Sequence, residues 1–141
     1  MTNETGVRKA VILCIDDEVP NVFIRKLVLE SEGYSVLVAH SGRDGLTMLK
    51  VEQVDVVILD YVMPEMNGGD VAEEIRRIKP AVPILMLSGS LDIPPSVAAV
   101  VDACASKAES PTVLFRHLES LLHRPPTSVL RRSNHPSYGA A

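Results

Sequence analysis

The chain has 141 residues, of which 46% are hydrophobic and 23% are charged, and its formal net charge is −4. This length and composition are typical of one globular domain with its own hydrophobic core. The acidic charge argues against a protein that binds nucleic acid nonspecifically, because such binding requires many basic residues. The two cysteines, Cys14 and Cys104, lack the spacing of a zinc site, so we expect both to be small core residues.

The apolar runs are too short to cross a bilayer, and the run from Val82 to Leu87 is interrupted by Pro83. The polar start from Met1 to Glu4 lacks the hydrophobic segment of a secretory signal peptide. We therefore expect a cytoplasmic protein.

Five apolar runs predict buried strands, and helical patterns lie between them. The predicted strands cover residues 10–15, 35–39, 54–59, 83–87 and 102–105. Strands that alternate with helices predict an α/β domain, with a parallel sheet that is covered by helices on both faces.

The helical patterns have recognisable starts. Pro20 suits the first turn of the first helix, whose apolar pairs at i, i+4 are Phe23 with Leu27 and Ile24 with Val28. The fourth helix is expected to run as far as Val101. The predicted starts of the other helices are Ser41 with Asp44, Asn67, Pro94 followed by Pro95, and Ser110 followed by Pro111.

Carboxylates follow two of the predicted strands. Asp16 and Asp17 come after the first strand and Asp60 after the third, while Ser88 follows the fourth. In a parallel α/β sheet, ligands bind beyond the carboxyl ends of the strands. Crowded carboxylates repel one another, and a hard cation such as Mg²⁺ relieves that repulsion. A carboxylate in such a site can also accept a phosphoryl group.

These residues resemble the receiver domain of two-component response regulators. The resemblance covers about residues 8–123, and it implies a flavodoxin-like three-layer sandwich with five helices and a five-stranded parallel sheet of order 2-1-3-4-5. The matching residues, in chain order, are Asp16, Asp17, Asp60, Met63, Pro64, Gly68, Ser88, Gly89 and Lys107.

The resemblance implies that Asp60 accepts a phosphoryl group from a phosphohistidine on a sensor histidine kinase or a histidine phosphotransfer protein. Mg²⁺ would be bound by Asp17, Asp60 and the backbone carbonyl of Val62, with Asp16 acting directly or through water. The chain would thus assist its own Mg²⁺-dependent phosphorylation and dephosphorylation without being an enzyme in the ordinary sense.

Two further residues receive roles from the resemblance. Lys107 would pair with the acceptor carboxylate and then with a phosphate oxygen. Ser88 would donate its hydroxyl to the phosphoryl group, and its small neighbour Gly89 would leave room for that group. The apolar side chain of Val62 cannot orient the hydrolytic water, so we expect a long-lived phosphoryl state.

The chain departs from the family pattern beside Lys107. Ala108 stands where the family usually has proline, and Cys104 stands where it commonly has an aromatic residue. We still expect phosphorylation to shift the loop after Ser88, the fourth helix, the fifth strand and the fifth helix, but without an aromatic reporter. Self-association through these last three elements is one way in which the shift could be used.

Residues 124–141 are predicted to be a flexible tail. Arg124, Arg131 and Arg132 give this segment a charge of +3, and 11 basic against 18 acidic residues leave −7 for residues 1–123. We expect no second folded domain and therefore no direct DNA binding. Signalling would then pass by docking to an unknown downstream protein, by phosphate relay or by self-association.

Other functions fit less well. A phosphatase of the haloacid-dehalogenase type needs a second acid two residues after its aspartate, where Asp60 has Val62, although Asp16 has Glu18 at that spacing. A flavin-binding domain would place glycines and hydroxyls after the first strand, where the acidic residues here would repel its phosphate. The main alternative is a receiver-like interaction module that does not cycle phosphate. Ala108 and Cys104 favour it slightly, whereas the intact Asp17, Asp60, Ser88 and Lys107 favour a working site.

Overall fold

The computed structural model describes residues 8–89 and 92–123. The strands are β1 (Val11–Ile15), β2 (Ser35–Ala39), β3 (Val56–Asp60), β4 (Ile84–Ser88) and β5 (Ala103–Ser106). The helices are α1 (Val19–Ser31), α2 (Gly42–Val51), α3 (Gly68–Ile78), α4 (Pro95–Ala98) and α5 (Pro111–Leu122).

The strands form one parallel sheet with the order β2-β1-β3-β4-β5. This order and the five helices confirm the predicted flavodoxin-like α/β fold. Every residue of β3 and β4 is buried, because these strands have neighbours on both sides and helices on both faces.

Two hydrophobic clusters lie on opposite faces of the sheet, between the strands and the helices that cover them. Along β1, Leu13 packs in the cluster with Leu49 of α2 and Val71 of α3, while Cys14 packs in the cluster with Val22 of α1. The second cluster also contains residues of α5. Helices α2 and α3 therefore cover one face, and α1 and α5 cover the other, since neighbouring strand residues point to opposite faces.

Two predicted helix starts are confirmed by side-chain caps. The Ser41 hydroxyl accepts a hydrogen bond from the Asp44 amide at 3.1 Å, and Asn67 Oδ1 accepts one from the Asp70 amide at 2.9 Å. Both side chains satisfy donors that the first turn of a helix leaves without partners.

Two predictions about the helices were wrong. Helix α4 ends at Ala98 and not at Val101, because the Val100 carbonyl accepts a hydrogen bond from Arg76 Nε and the Asp102 amide already pairs with β4. Of the apolar pairs predicted in α1, Phe23, Ile24 and Leu27 do not face the core, since each is at least half exposed.

The buried residues of α1 are Val22 and Leu29. Cys14 is in the core as predicted, but Cys104 is exposed because it lies on β5, which is the edge of the sheet.

No helix in the described part of the chain is long and apolar enough to cross a membrane. The predicted tail, residues 124–141, lies outside the described residues.

Candidate functional site

Three aspartates meet at the carboxyl edge of the sheet. Asp60 is the last residue of β3, and Asp16 and Asp17 directly follow β1, which is the strand paired with β3. One carboxylate oxygen from each residue lies within 4.8 Å of the other two. Asp16 and Asp60 are buried, with 0% and 4% of their surface exposed, and Asp17 is half-buried.

Lys107 joins this cluster from the end of β5. Its Nζ lies 3.1 Å from Asp60 Oδ1 and 3.3 Å from Asp16 Oδ2. The Lys107 amide donates a hydrogen bond to the carbonyl of Ser88 at 2.9 Å, which fixes the lysine backbone beside β4. The ammonium group therefore bridges the two most buried carboxylates of the site.

Ser88 ends β4 at the same edge of the sheet. In the strand register Asp60 lies opposite Leu87, so Ser88 is one residue further along the neighbouring strand. Ser88 is buried, and a Cβ placed on Gly89 would meet no atom of the described residues within 4 Å beyond its chain neighbours. The fold thus brings the side chains of Asp16, Asp17, Asp60, Ser88 and Lys107 to one edge.

The loop after Asp60 requires glycine at position 68. The Gly68 amide donates to the Tyr61 carbonyl at 2.7 Å. A Cβ on Gly68 would lie 2.6 Å from the Asp60 carbonyl oxygen and 2.7 Å from the Tyr61 Cα, so any side chain here would push α3 away from the acceptor backbone. In the same loop, the side chain of Val62 is 69% exposed.

Burial and the charges of the site shift the pKa values of Asp60 and Lys107. Burial, and then the nearby charge of Asp16, raise the pKa of Asp60 to about 6, although hydrogen bonds from Lys107 and the Val62 backbone oppose this shift. Burial alone would lower the pKa of Lys107, but the hydrogen bond to Asp60 and the charges of both aspartates outweigh it and raise that pKa. Ionised Asp60 is therefore costly in this site even with Lys107 beside it, and a further cation would offset that cost.

The donor atoms of the cluster suit magnesium. Carboxylate oxygens are hard ligands, and Mg²⁺ binds proteins through one or two carboxylates while it keeps several waters. Asp17 is half-buried and Asp60 is at the sheet edge, so both oxygens can serve a cation that remains partly hydrated. The residues present therefore fit the ion that the sequence predicts.

Two charged residues at the site were missed or underrated from the sequence. Arg25 of α1 donates from Nη1 to Asp16 Oδ2 at 3.2 Å. The signal for Arg25 was its spacing, since it shares one helix face with the buried residues Val22 and Leu29. Glu18 was given no role at this site from the sequence, but its Oε1 lies 3.3 Å from Lys107 Nζ.

The loop after Lys107 is closed by side-chain hydrogen bonds. The Ser106 hydroxyl accepts from the Ala108 amide at 3.0 Å, and Glu109 Oε1 accepts from the Ser106 amide at 3.1 Å. Residues 8–89 and 92–123 contain no cis peptide bond. These contacts hold Lys107 at the site although Ala108 takes the place of proline.

Comparison with sequences of known proteins gives the same family throughout. Residues 12–114 match the family model of the response regulator receiver domain. The chain is 38% identical over 120 residues to the transcriptional regulatory protein GlrR of Escherichia coli, which covers 83% of this chain and 27% of GlrR. It is 32% identical over 116 residues to the response regulator SaeR of Staphylococcus aureus, which covers 80% of this chain and 50% of SaeR. The chain therefore spans half or less of the length of these relatives.

Solved structures agree with the sequence relatives. The Thermotoga maritima response regulator TrrA, in complex with Mg²⁺ and BeF, superposes with a TM-score of 0.77 at 30% identity and covers 80% of this chain and 99% of that one. A response regulator receiver domain from Clostridium thermocellum has a TM-score of 0.76 at 31% identity, with 82% and 95% coverage. Receiver domains are signalling domains and not enzymes in the ordinary sense, and they bind Mg²⁺ at an acidic pocket. The chain belongs to the family of response regulator receiver domains.

Proposed function

We propose that this chain accepts a phosphoryl group on Asp60, with the help of Mg²⁺, and that the acceptance switches its interactions with other proteins. Receiver domains interact with histidine kinases or phosphotransfer proteins, and such a protein would be the donor. One observation carries the proposal: the buried carboxylate of Asp60 lies 3.1 Å from Lys107 Nζ, and oxygens of two further aspartates lie within 4.8 Å.

The transfer needs a nucleophile and charge compensation. An oxygen of Asp60 would form a bond to phosphorus while the phosphorus–nitrogen bond of the donor phosphohistidine breaks, and the donor would leave as imidazole. Lys107, which now holds Asp60 Oδ1, would move to a phosphate oxygen, and the Ser88 hydroxyl would donate to another.

Asp17, Asp60 and the backbone carbonyl of Val62 would hold the ion, with Asp16 acting directly or through water. A bound Mg²⁺ would offset the negative charge of the carboxylates and of the incoming phosphoryl group.

Exposed apolar side chains beside the site support docking of a protein donor. Val19, which starts α1, is 53% exposed, and Phe23, Ile24 and Leu27 are 56%, 59% and 50% exposed. They lie on the helix that follows Asp16 and Asp17, and Ile24 lines one cavity together with Lys107, so a partner that covers them would lie beside the site.

Incubation with Mg²⁺ and a small acyl phosphate tests this function. We expect the intact mass to increase by one phosphoryl group when Mg²⁺ is present and to stay unchanged when a chelator replaces the ion. If Mg²⁺ brings no phosphoryl group onto the protein, the alternative of an interaction module that does not cycle phosphate is correct.

Val62 should make the phosphoryl state long-lived. Because its side chain is 69% exposed, Val62→Asn fits without a clash, and its amide can orient a hydrolytic water. We expect severalfold faster loss of the phosphoryl group, measured as decay of the phosphorylated mass after the donor is removed. Val51→Asn is the matched control, since Val51 is also exposed, at 76%, but ends α2. A rate in Val62→Asn that equals or falls below wild type contradicts this role.

The switch should involve the loop after Ser88, α4, β5 and α5. Phosphate can stabilise a second loop state through Ser88 and Lys107, although the exposed Cys104 provides no aromatic reporter. Adding Mg²⁺ and beryllofluoride should change amide hydrogen exchange across residues 88–118. Asp60→Asn is the control that should show no change, and an unchanged wild-type pattern rules this switch out. Self-association through α4, β5 and α5 stays a prediction that the same samples can test by sedimentation.

We further propose residues 8–123 as the receiver domain and residues 124–141 as a tail. After His123 the sequence is rich in Pro, Ser and Arg and lacks a periodic apolar face. Limited proteolysis should cut first after residue 123 and leave a fragment that still accepts phosphate. The downstream target of the protein can be sought separately by pull-down.

A further inference from the structure

Arg25 is a second cation of the acidic site, and it reaches Asp16 from helix α1. It lies in the middle of α1, its side chain is only 13% exposed, and Nη1 lies 3.2 Å from Asp16 Oδ2. Arg25 also lines a cavity of about 310 Å³ between α1 and α5, together with Leu87, Ala105 and Leu114. An arginine held on the inner face of a helix has left bulk water, so its charge is only weakly screened.

The contacts of Asp16 leave neither of its oxygens without a donor. Oδ1 accepts a hydrogen bond from the Glu18 amide at 2.9 Å. Oδ2 lies 3.2 Å from Arg25 Nη1 and 3.3 Å from Lys107 Nζ. Asp16 is thus held in one orientation, and two cations share its charge.

We propose that Arg25 is a positioning residue that holds Asp16 and lowers the affinity of the site for Mg²⁺. This inference rests on the proposed function, in which Asp17 and Asp60 are the direct carboxylate ligands. The three aspartates, Glu18 and Lys107 together carry a formal charge of −3, and Arg25 makes it −2. A divalent cation is attracted less strongly as the negative charge of its site becomes smaller. In addition, a carboxylate that two cations already hold in place would contact the ion through a water molecule.

A purely structural role for Arg25 makes a different prediction. If the side chain only fills the space between α1 and α5, removing it changes the free energy of unfolding but not the affinity for Mg²⁺. If it positions and neutralises Asp16, removing its charge strengthens Mg²⁺ binding in the unphosphorylated protein, before any phosphoryl transfer occurs.

Isothermal titration of the unphosphorylated protein with Mg²⁺ separates these roles. We expect Arg25→Met, which keeps most of the volume, to bind Mg²⁺ about fivefold more tightly or better. Arg25→Lys, which keeps the charge, should stay close to wild type. Lys26→Met is the matched control. It also removes one positive charge from α1, but the native Lys26 pairs with Glu30. Arg25→Gln replaces Arg25→Met if thermal unfolding shows that the latter does not fold.

Unchanged or weaker Mg²⁺ binding in the neutral Arg25 variants overturns the inference. So does equal tightening in Lys26→Met, because the effect would then come from net charge. If the wild-type protein binds no Mg²⁺, the proposed function fails and this inference fails with it. If the wild type binds Mg²⁺ and Asp17→Asn does not, while Arg25→Met matches wild type, only the role of Arg25 is wrong.

Discussion

Asp60→Asn should abolish phosphoryl acceptance, so that the intact mass stays unchanged after incubation with Mg²⁺ and an acyl phosphate. An amide of nearly the same shape lacks the nucleophilic carboxylate oxygen, but it can still accept a hydrogen bond from Lys107. The loss should be complete because no other carboxylate of the site lies at the end of β3 beside both Lys107 and β4.

The fold should survive this substitution. Burial and the charge of Asp16 raise the pKa of Asp60 to about 6, so the ionised group destabilises the folded protein as the pH rises through that value. Removing the charge should therefore leave the free energy of unfolding at pH 7 equal to or above wild type, as measured by urea denaturation.

Asp70→Asn is the matched control for this experiment. It makes the same chemical change on an exposed residue in the first turn of α3, and it should accept phosphate as the wild type does. A phosphoryl group that still appears on Asp60→Asn would mean that the acceptor is another residue.

Asp17→Asn should weaken Mg²⁺ binding by roughly tenfold or more, because Mg²⁺ in proteins depends on one or two direct carboxylates. Of the three aspartates, Asp17 is the least buried, and the described salt bridges do not include it. Its oxygen is therefore the one most available to an ion from solvent. Isothermal titration with Mg²⁺ measures the change directly, and the acyl phosphate reaction should slow in parallel.

Glu18→Gln provides the control for Asp17→Asn. It removes one negative charge at the next position, but its carboxylate contacts Lys107 and Asn21 and is not among the clustered aspartate oxygens. We expect at most a small loss of Mg²⁺ affinity. Equal losses in both variants would show that general charge, and not coordination by Asp17, attracts the ion.

The strand ends were predictable because a parallel sheet has a simple pattern. Buried strands appear as short apolar runs, and the carboxyl ends of neighbouring strands share one edge. This placed Asp16, Asp17 and Asp60 together, although β3 extends to include Asp60 and begins two residues later than predicted. The caps at Ser41 and Asn67 were equally predictable, since they depend on contacts three residues apart.

The features that were not predicted depend on tertiary packing. Helix α1 has apolar residues on several sides, so its periodicity does not determine whether Val22 or Phe23 faces the sheet. The exposure of Cys104 follows from the edge position of β5, and the early end of α4 follows from the hydrogen bond of Arg76 to Val100. The contact between Arg25 and Asp16 could not be predicted, because it depends on how α1 packs against the sheet.

The position of the phosphoryl group is the most direct test of the site. Borohydride reduces an acyl phosphate of aspartate to homoserine, and tandem mass spectrometry of a digest then locates the altered residue. After reaction with Mg²⁺ and an acyl phosphate, we expect homoserine at position 60 alone. Homoserine at position 16 or 17, or a phosphoryl group that resists reduction because it is on a histidine, would contradict the role of Asp60.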